Sequence, residues 1–455
     1  MKKSILKKIL FTLVVIITTG ISGVAADTLP VLVAGTQLTD ETSTMNLGKG
    51  ILKYDKENKE LILENVTITS DTDYGINLVS TTDEVKIILK GDNKIVVTGI
   101  NFGIRASKDI IVTGDGKLTI TSEFPSIQGK NITIDGAKLD LTTSGENLPA
   151  IECNNVLTIK NNSKIKAKGH GAALSSFGKM EIMDSELELE ATRDSSNAIY
   201  VEPTNDVGTL NIANSSIKAK SGYACIYSAG EMTLSKSEFN LESIAGGIYS
   251  DTSVSIANSK VDVTEGYYGI GAGQGNITVN NSTFKIGVDG EAFRKKPIIS
   301  GLDDKVIYAG NEKDGTDAEI VEINDNLDLS NYNYVKIVNK YNIKVVTDEN
   351  IILDGDNEIT AIEGEDKEIV IKAKDGYKIK NVLVNNNEVE LNNNKISLTN
   401  INEDIVIKIT SEKMSKTSTE IENPKTGDNI VIYIIISLLS VVALITTKTF
   451  IFNKD

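Results

Sequence analysis

Few side chains in this sequence are able to do chemistry. Among 455 residues there is one histidine, His170, in the loop KGHGA, and there is no tryptophan. A lone histidine excludes a two-histidine metal site, and a Ser–His–Asp arrangement built on it finds no support in the sequence. The arginines Arg105, Arg193 and Arg294 are scattered, and none follows an acidic cluster. A polysaccharide lyase would need a calcium cluster beside an Arg or Lys base. A glycoside hydrolase would need two or three carboxylates converging within about 5–10 Å. Neither pattern is present, so no catalytic residue, cofactor or metal ligand is expected.

Tyrosine gives the one constellation that stands out. Tyr200, Tyr227 and Tyr249 each follow directly on an isoleucine, Ile199, Ile226 and Ile248, and Tyr267 and Tyr268 lie just before Ile270. If the isoleucines point into a core, the three tyrosines point out and stand one above another. Rigid flat rings on an exposed sheet can dock sugar faces. The same rings can equally serve as a stacking ladder that stiffens the fold. Tyr200, Tyr227, Tyr249 and Tyr268 are the candidate ligand surface.

A repeat must position them. The segments LTIKNNSKIKAKGHGAAL (157–174), LNIANSSIKAKSGYACI (210–226), MTLSKSEFNLESIAGGI (232–248) and VSIANSKVDVTEGYYGI (254–270) are variants of one sentence. Each has an alternating run, a turn rich in Asn and Ser, a second alternating run and a loop. A small residue and an aliphatic one then close the unit. The closing residues fall at Ile76, Ile104, Ile127, Ile151, Leu174, Ile199, Ile226, Ile248 and Ile270, spaced 22 to 28 apart, with a tenth unit ending near Ile286. A period of this size marks a solenoid, and period-2 alternation with β-branched residues marks strands. The expected fold is all-β: a right-handed parallel β-helix of about ten coils, stacked at about 4.8 Å. No coil buries its apolar face alone, so stability comes from neighbours and capped ends.

The register gives columns. Leu139, Ile165, Leu187, Ile217, Phe239, Val261 and Phe284 should point inward, and Asp140, Lys166, Glu188, Lys218, Asn240, Asp262 and Lys285 outward. Opposite charges then stack coil on coil, which argues for a structural ladder rather than a carboxylate site; Asp140 and Asp262 share a column but lie five coils apart. Cys153 and Cys225 fall three coils apart, near 14 Å by coil spacing, and bridged Cα atoms need less than about 7 Å. Both are expected as buried free thiols.

The flanks divide as follows. Residues 27–59 and 291–340 are expected to cap a β-helix over 60–290. Residues 341–410, with short strands joined by Asp-Gly, Asn-Asn and Asn-Glu turns, suggest a small β-sandwich-like module. Residues 411–423 are polar and stalk-like.

Both termini carry targeting signals. Lys2, Lys3, Lys7 and Lys8 precede an apolar stretch, Ile9 to Thr18, and Val24-Ala25-Ala26 supplies small residues for cleavage before Asp27. This is the pattern of a secretory signal peptide over 1–26. At the other end, Asn423-Pro424-Lys425-Thr426-Gly427 precedes the uncharged run 430–447 and a charged tail. That run is just long enough to cross a bilayer. Motif, span and tail over 424–455 resemble the cell-wall sorting signal of Gram-positive surface proteins, with Asn423 where Leu is usual. The resemblance implies that a sortase cuts between Thr426 and Gly427 and joins Thr426 to a peptidoglycan amine. The proline then marks a cut site, and the apolar run holds the chain in the membrane until the cut. Removing the four leader lysines, Lys448, Lys454, Asp428 and Asp455 leaves 41 basic and 61 acidic residues, a net −20. That balance argues against nucleic acid.

The whole resembles wall-anchored β-helix surface proteins, including carbohydrate-binding ones. The resemblance implies a non-catalytic role in adhesion or glycan binding at the cell surface. A polysaccharide lyase or hydrolase with an unrecognised site, or a purely structural wall protein, are the alternatives.

Overall fold

A computed structural model describes residues 28–79, 82–203 and 208–415. The leader, the motif Asn423–Gly427 and the apolar run 430–447 lie outside the described residues. Among the described residues there is no helix, and so none that could cross a membrane. The chain forms two compact units, one built on residues up to Asn342 and one on Ile343–Ile359, Lys367–Leu398 and the segment from Ile405.

The first unit is a parallel β-helix. Each coil contributes one strand to each of three sheets, here A, B and C. Strands of sheet A run parallel from Ile76–Leu78 through Ile104–Ala106 and Ile127–Gly129 to Glu291–Phe293, ten in all among the described residues. The closing aliphatic residue of one coil pairs with that of the next: Ile104 with Ile127, Ile151 with Leu174, Leu174 with Ile199, Ile226 with Ile248. Each is fully buried. Burial of such side chains contributes about 1.5–3 kcal/mol apiece.

The inward column of sheet C follows the expected register throughout, Leu139 to Ile165 to Leu187 to Ile217 and on to Phe284. Outside it the expected charges of Lys166 and Glu188 meet at 3.3 Å, and two residues further on Lys168 meets Glu190 at 2.8 Å.

The tenth coil differs from the expectation. Ile286 pairs with Val263 inside sheet C, and the closing position is taken by Phe293, opposite Ile270. An aromatic residue replaces the aliphatic one there, packed edge-on against Phe284 at 5.8 Å. The parallel pairing then continues in sheet B to Ile298–Ser300. Antiparallel pairing closes both ends. Thr28–Val33 lies antiparallel on the first sheet A strand, and Tyr334 to Ile337 lie antiparallel on Thr283–Gly287.

The turn from sheet B to sheet C explains the Asn and Ser of the repeat. Asp184, Asn214, Lys236, Asn258 and Asn281 have φ between 43° and 50°, a left-handed conformation that Asn and Asp tolerate best among residues with a Cβ. A serine follows each. Its backbone N–H donates to the hydroxyl of the next serine: Ser185 to Ser215, Ser215 to Ser237, Ser237 to Ser259, Ser259 to Ser282. Each hydroxyl in turn donates to the carbonyl two residues back, as Ser237 does to Ser235 at 2.7 Å. These buried groups are therefore satisfied.

The second unit is also all-β. Ile351–Asp354, Lys367–Ala373 and Lys395–Leu398 form an antiparallel sheet. Ile405–Lys413 pairs antiparallel with Tyr377–Val384, and parallel with Ile343 to Thr347. Ile369, Ile371, Ile407 and Ile409 are buried.

Candidate functional site

The outer face of sheet A carries the tyrosine column. Tyr200 pairs with Tyr227, and Tyr227 with Tyr249, in the parallel register. Ile199, Ile226 and Ile248 beside them point inward, so alternation directs the rings out. The rings do not form a flat floor. Tyr200 and Tyr227 have centroids 5.3 Å apart and planes 18° apart; Tyr227 and Tyr249 are 6.3 Å and 9° apart. Parallel rings at such distances are offset-stacked, so each covers part of its neighbour's face.

The ladder is closed at its C-terminal end. The next position in the column is Gly271, and beyond it comes Arg294. The Arg294 guanidinium lies over Tyr249 and Tyr268, at 5.8 and 5.0 Å from the ring centroids. Tyr268 meets Tyr249 edge-on at 5.9 Å. Tyr268 itself is buried, unlike the other three candidates, because its ring crosses Gly246 of the preceding coil; a Cβ there would stand 2.2 Å from the ring. It supports the surface from beneath rather than offering a face.

Burial raises the phenols of Tyr200, Tyr227 and Tyr268 above the ordinary range. At Tyr227 a further cause is its hydrogen bond, donated to the Asp251 carboxylate at 2.7 Å.

The opposite end is open. The residue before Tyr200 in the column is the small Ser175. Among the described residues no ring but Tyr227 stacks on Tyr200. Its free side borders a cleft of about 350 Å³, lined also by Pro149, Glu152, Ala172, Ser175, Phe177, Arg193 and Asn197. The cleft exists because Ala172 and Ser175 are small where neighbouring coils place larger side chains. The loop at its rim is held by His170, whose Nδ1 accepts from the Asn147 backbone N–H at 3.0 Å, and by Arg193, which donates to the Asn147 side chain. Glu152 accepts from Gln128 at 2.5 Å.

Asn197 is 9% exposed, and its carboxamide oxygen is buried with no hydrogen-bond partner. An orphaned acceptor of this kind costs about 1–3 kcal/mol. None of the cleft's polar residues was a candidate from sequence. The signal was present in the alternation of small and large residues down two columns, Pro149, Ala172, Asn197 and Glu152, Ser175, Tyr200.

Other chemistry is sparse. Cys153 and Cys225 are free and buried. Burial pushes their thiols up to about 11 and about 12. Among the described residues no group of three His, Cys, Asp or Glu side chains lies close enough to hold a metal ion.

No curated protein and no solved structure matches this chain. A family model does, over residues 42–296, which is more than half of the sequence and spans the coils described above. The chain belongs to the family of carbohydrate-binding domain-containing proteins.

Proposed function

We propose that this chain is a non-catalytic, carbohydrate-binding cell-surface protein, and that the outer face of sheet A holds the sugar. The observation that carries this reading is the free face of Tyr200 beside a cleft lined by Glu152, Ser175 and Arg193. A sugar ring stacked on Tyr200 would place its C–H face on the aromatic surface. Glu152 and Arg193 supply an acceptor and a donor at the rim. The rest of the ladder holds Tyr200 in place: ring on ring, closed by Arg294.

The sorting motif gives this role its place. By its resemblance, Asn423–Gly427 is the sortase site that attaches the chain to peptidoglycan, and adhesion through bound glycan follows from that position.

A glycan array on protein comprising residues 27–426 tests the reading. Wild type should bind a defined set of glycans, Tyr200→Ala should lose them, and no glycan should be shortened. Absence of binding by folded wild type would overturn the reading, as would undiminished binding by the variant. Cell fractionation tests the anchoring: a chain lacking residues 423–427 should leave the wall fraction.

A further inference from the structure

Three large apolar side chains stand on the loops that lead into sheet A in consecutive coils. Tyr223, Ile244 and Tyr267 are 47%, 67% and 64% exposed. Backbone hydrogen bonds tie the loops together, from Gly246 N–H to Tyr223 O at 3.3 Å and from Tyr267 N–H to Ala245 O at 2.8 Å. The register places Ala245 on the coil between Tyr223 and Tyr267, with Ile244 one residue earlier on the same loop. The two tyrosines are two coil steps apart, about 10 Å by the strand spacing.

Unlike the ladder rings, these do not stack on each other. Tyr267 rests instead on Gly290 of the next coil. A Cβ on that glycine would stand 3.2 Å from both Cε1 and Cε2 of the ring. Backbone thus supports one face of Tyr267, and its other face meets solvent. Tyr268, the next residue, is buried and meets the ladder edge-on at Tyr249.

An exposed aromatic pair at this spacing suits a particular polymer. In an extended β-1,4-linked chain successive sugar rings turn over, so every second ring presents the same face. One sugar ring advances by close to one coil spacing. Two coils then match two rings. Charge narrows the class further. The whole chain carries −16, and Glu265 and Glu291 lie close to Tyr267 in sequence and on the adjoining coil. Such surroundings repel a polyanion.

We propose that Tyr223 and Tyr267 form a second contact surface, an open strip that stacks alternate rings of an extended, uncharged β-1,4-linked glycan. This rests on the carbohydrate-binding reading above but not on the Tyr200 cleft.

Calorimetric titration of the protein spanning residues 27–426 tests it. The probes are the disaccharides and hexasaccharides of β-1,4-linked glucose, mannose and N-acetylglucosamine, with the α-1,4-linked glucose hexasaccharide as control. At least one β-1,4 hexasaccharide should bind more tightly than its disaccharide, and the control should not bind. Tyr223→Ala and Tyr267→Ala should each weaken hexasaccharide binding by about three- to tenfold. Both side chains are exposed, so the variants should fold, which circular dichroism checks. Equal hexasaccharide affinity in wild type and the double variant overturns the strip. If Tyr200→Ala still abolishes glycan binding in that case, the cleft reading stands alone. Failure of every β-1,4 hexasaccharide to bind folded wild type overturns the strip whatever the array shows. An array with no binding at all overturns the carbohydrate reading itself.

Discussion

Arg294 reaches across the place where Gly271 has no side chain and sets its guanidinium carbon 5.8 Å from the ring centroid of Tyr249. A Cβ at Gly271 would stand 2.6 Å from Tyr249 Cδ2 and 3.1 Å from Arg294 Cδ. Gly271→Ala must therefore push the two apart, at a cost of about 1–3 kcal/mol. Arg294→Ala removes the same contact without overpacking and should cost about 1 kcal/mol. Urea denaturation followed by circular dichroism reads both. A Gly271→Ala protein as stable as wild type would show that the contact closing the ladder does not hold it.

Alkaline pH should loosen the ladder. The phenols of Tyr200, Tyr227 and Tyr268 lie above their ordinary value of 10.0, mainly through burial. Between the unfolded and folded values the folded chain keeps protons that the unfolded chain has lost. Stability is thus complete below about pH 10 and falls as pH rises from there. Tyr227→Phe should lower stability at neutral pH by about 1 kcal/mol, through loss of the bond to Asp251, and should flatten the alkaline decline. Thermal melts across the alkaline range check this, and a decline identical to wild type would count against Tyr227 as a contributor.

The cysteines should be inert in the native protein. With both thiols buried and raised to about 11 and about 12, little thiolate forms near neutrality. A thiol reagent at about pH 8 should find none in native protein and two after denaturation. Rapid native labelling would mean that a coil opens locally.

The outer charges of sheet C should matter little one by one. Lys168 and Glu190 meet at 2.8 Å but are 46% and 42% exposed. A double-mutant cycle with Lys168→Ala and Glu190→Ala should give a coupling of about 0.2–1 kcal/mol, reduced by added salt. A coupling well above that would require a network that the pair's exposure does not suggest.

The coil path was legible in the sequence because a two-residue period and a closing aliphatic leave little freedom. Ile76 to Ile270 all stand in one column for that reason. Phe293 was missed because the tenth coil closes with an aromatic residue, and Ile286 offered a nearer aliphatic. The outward direction of Tyr200, Tyr227 and Tyr249 followed from alternation. Their slipped stacking did not, because it depends on side-chain torsions rather than on period. Tyr268 is buried because Gly246 one coil earlier leaves room for its ring, a relation between coils that a single repeat does not display. Asn197 and its cleft depend on two small neighbours, Ala172 and Ser175, that look unremarkable along the chain and matter only down the columns.

The serine column has a consequence for how such a protein can change in length. Every rung from Ser185 to Ser282 donates in the same direction, one coil to the next. A duplicated or deleted segment rejoins this chain of donors only if it supplies one whole turn with its serine in phase. A fractional insertion has no such option unless the serines stay in phase, as Ser185 and Ser215 do although 30 residues rather than 22 or 23 separate them. The molecule is in that sense a count of indivisible units, free to gain or lose reach only in whole steps.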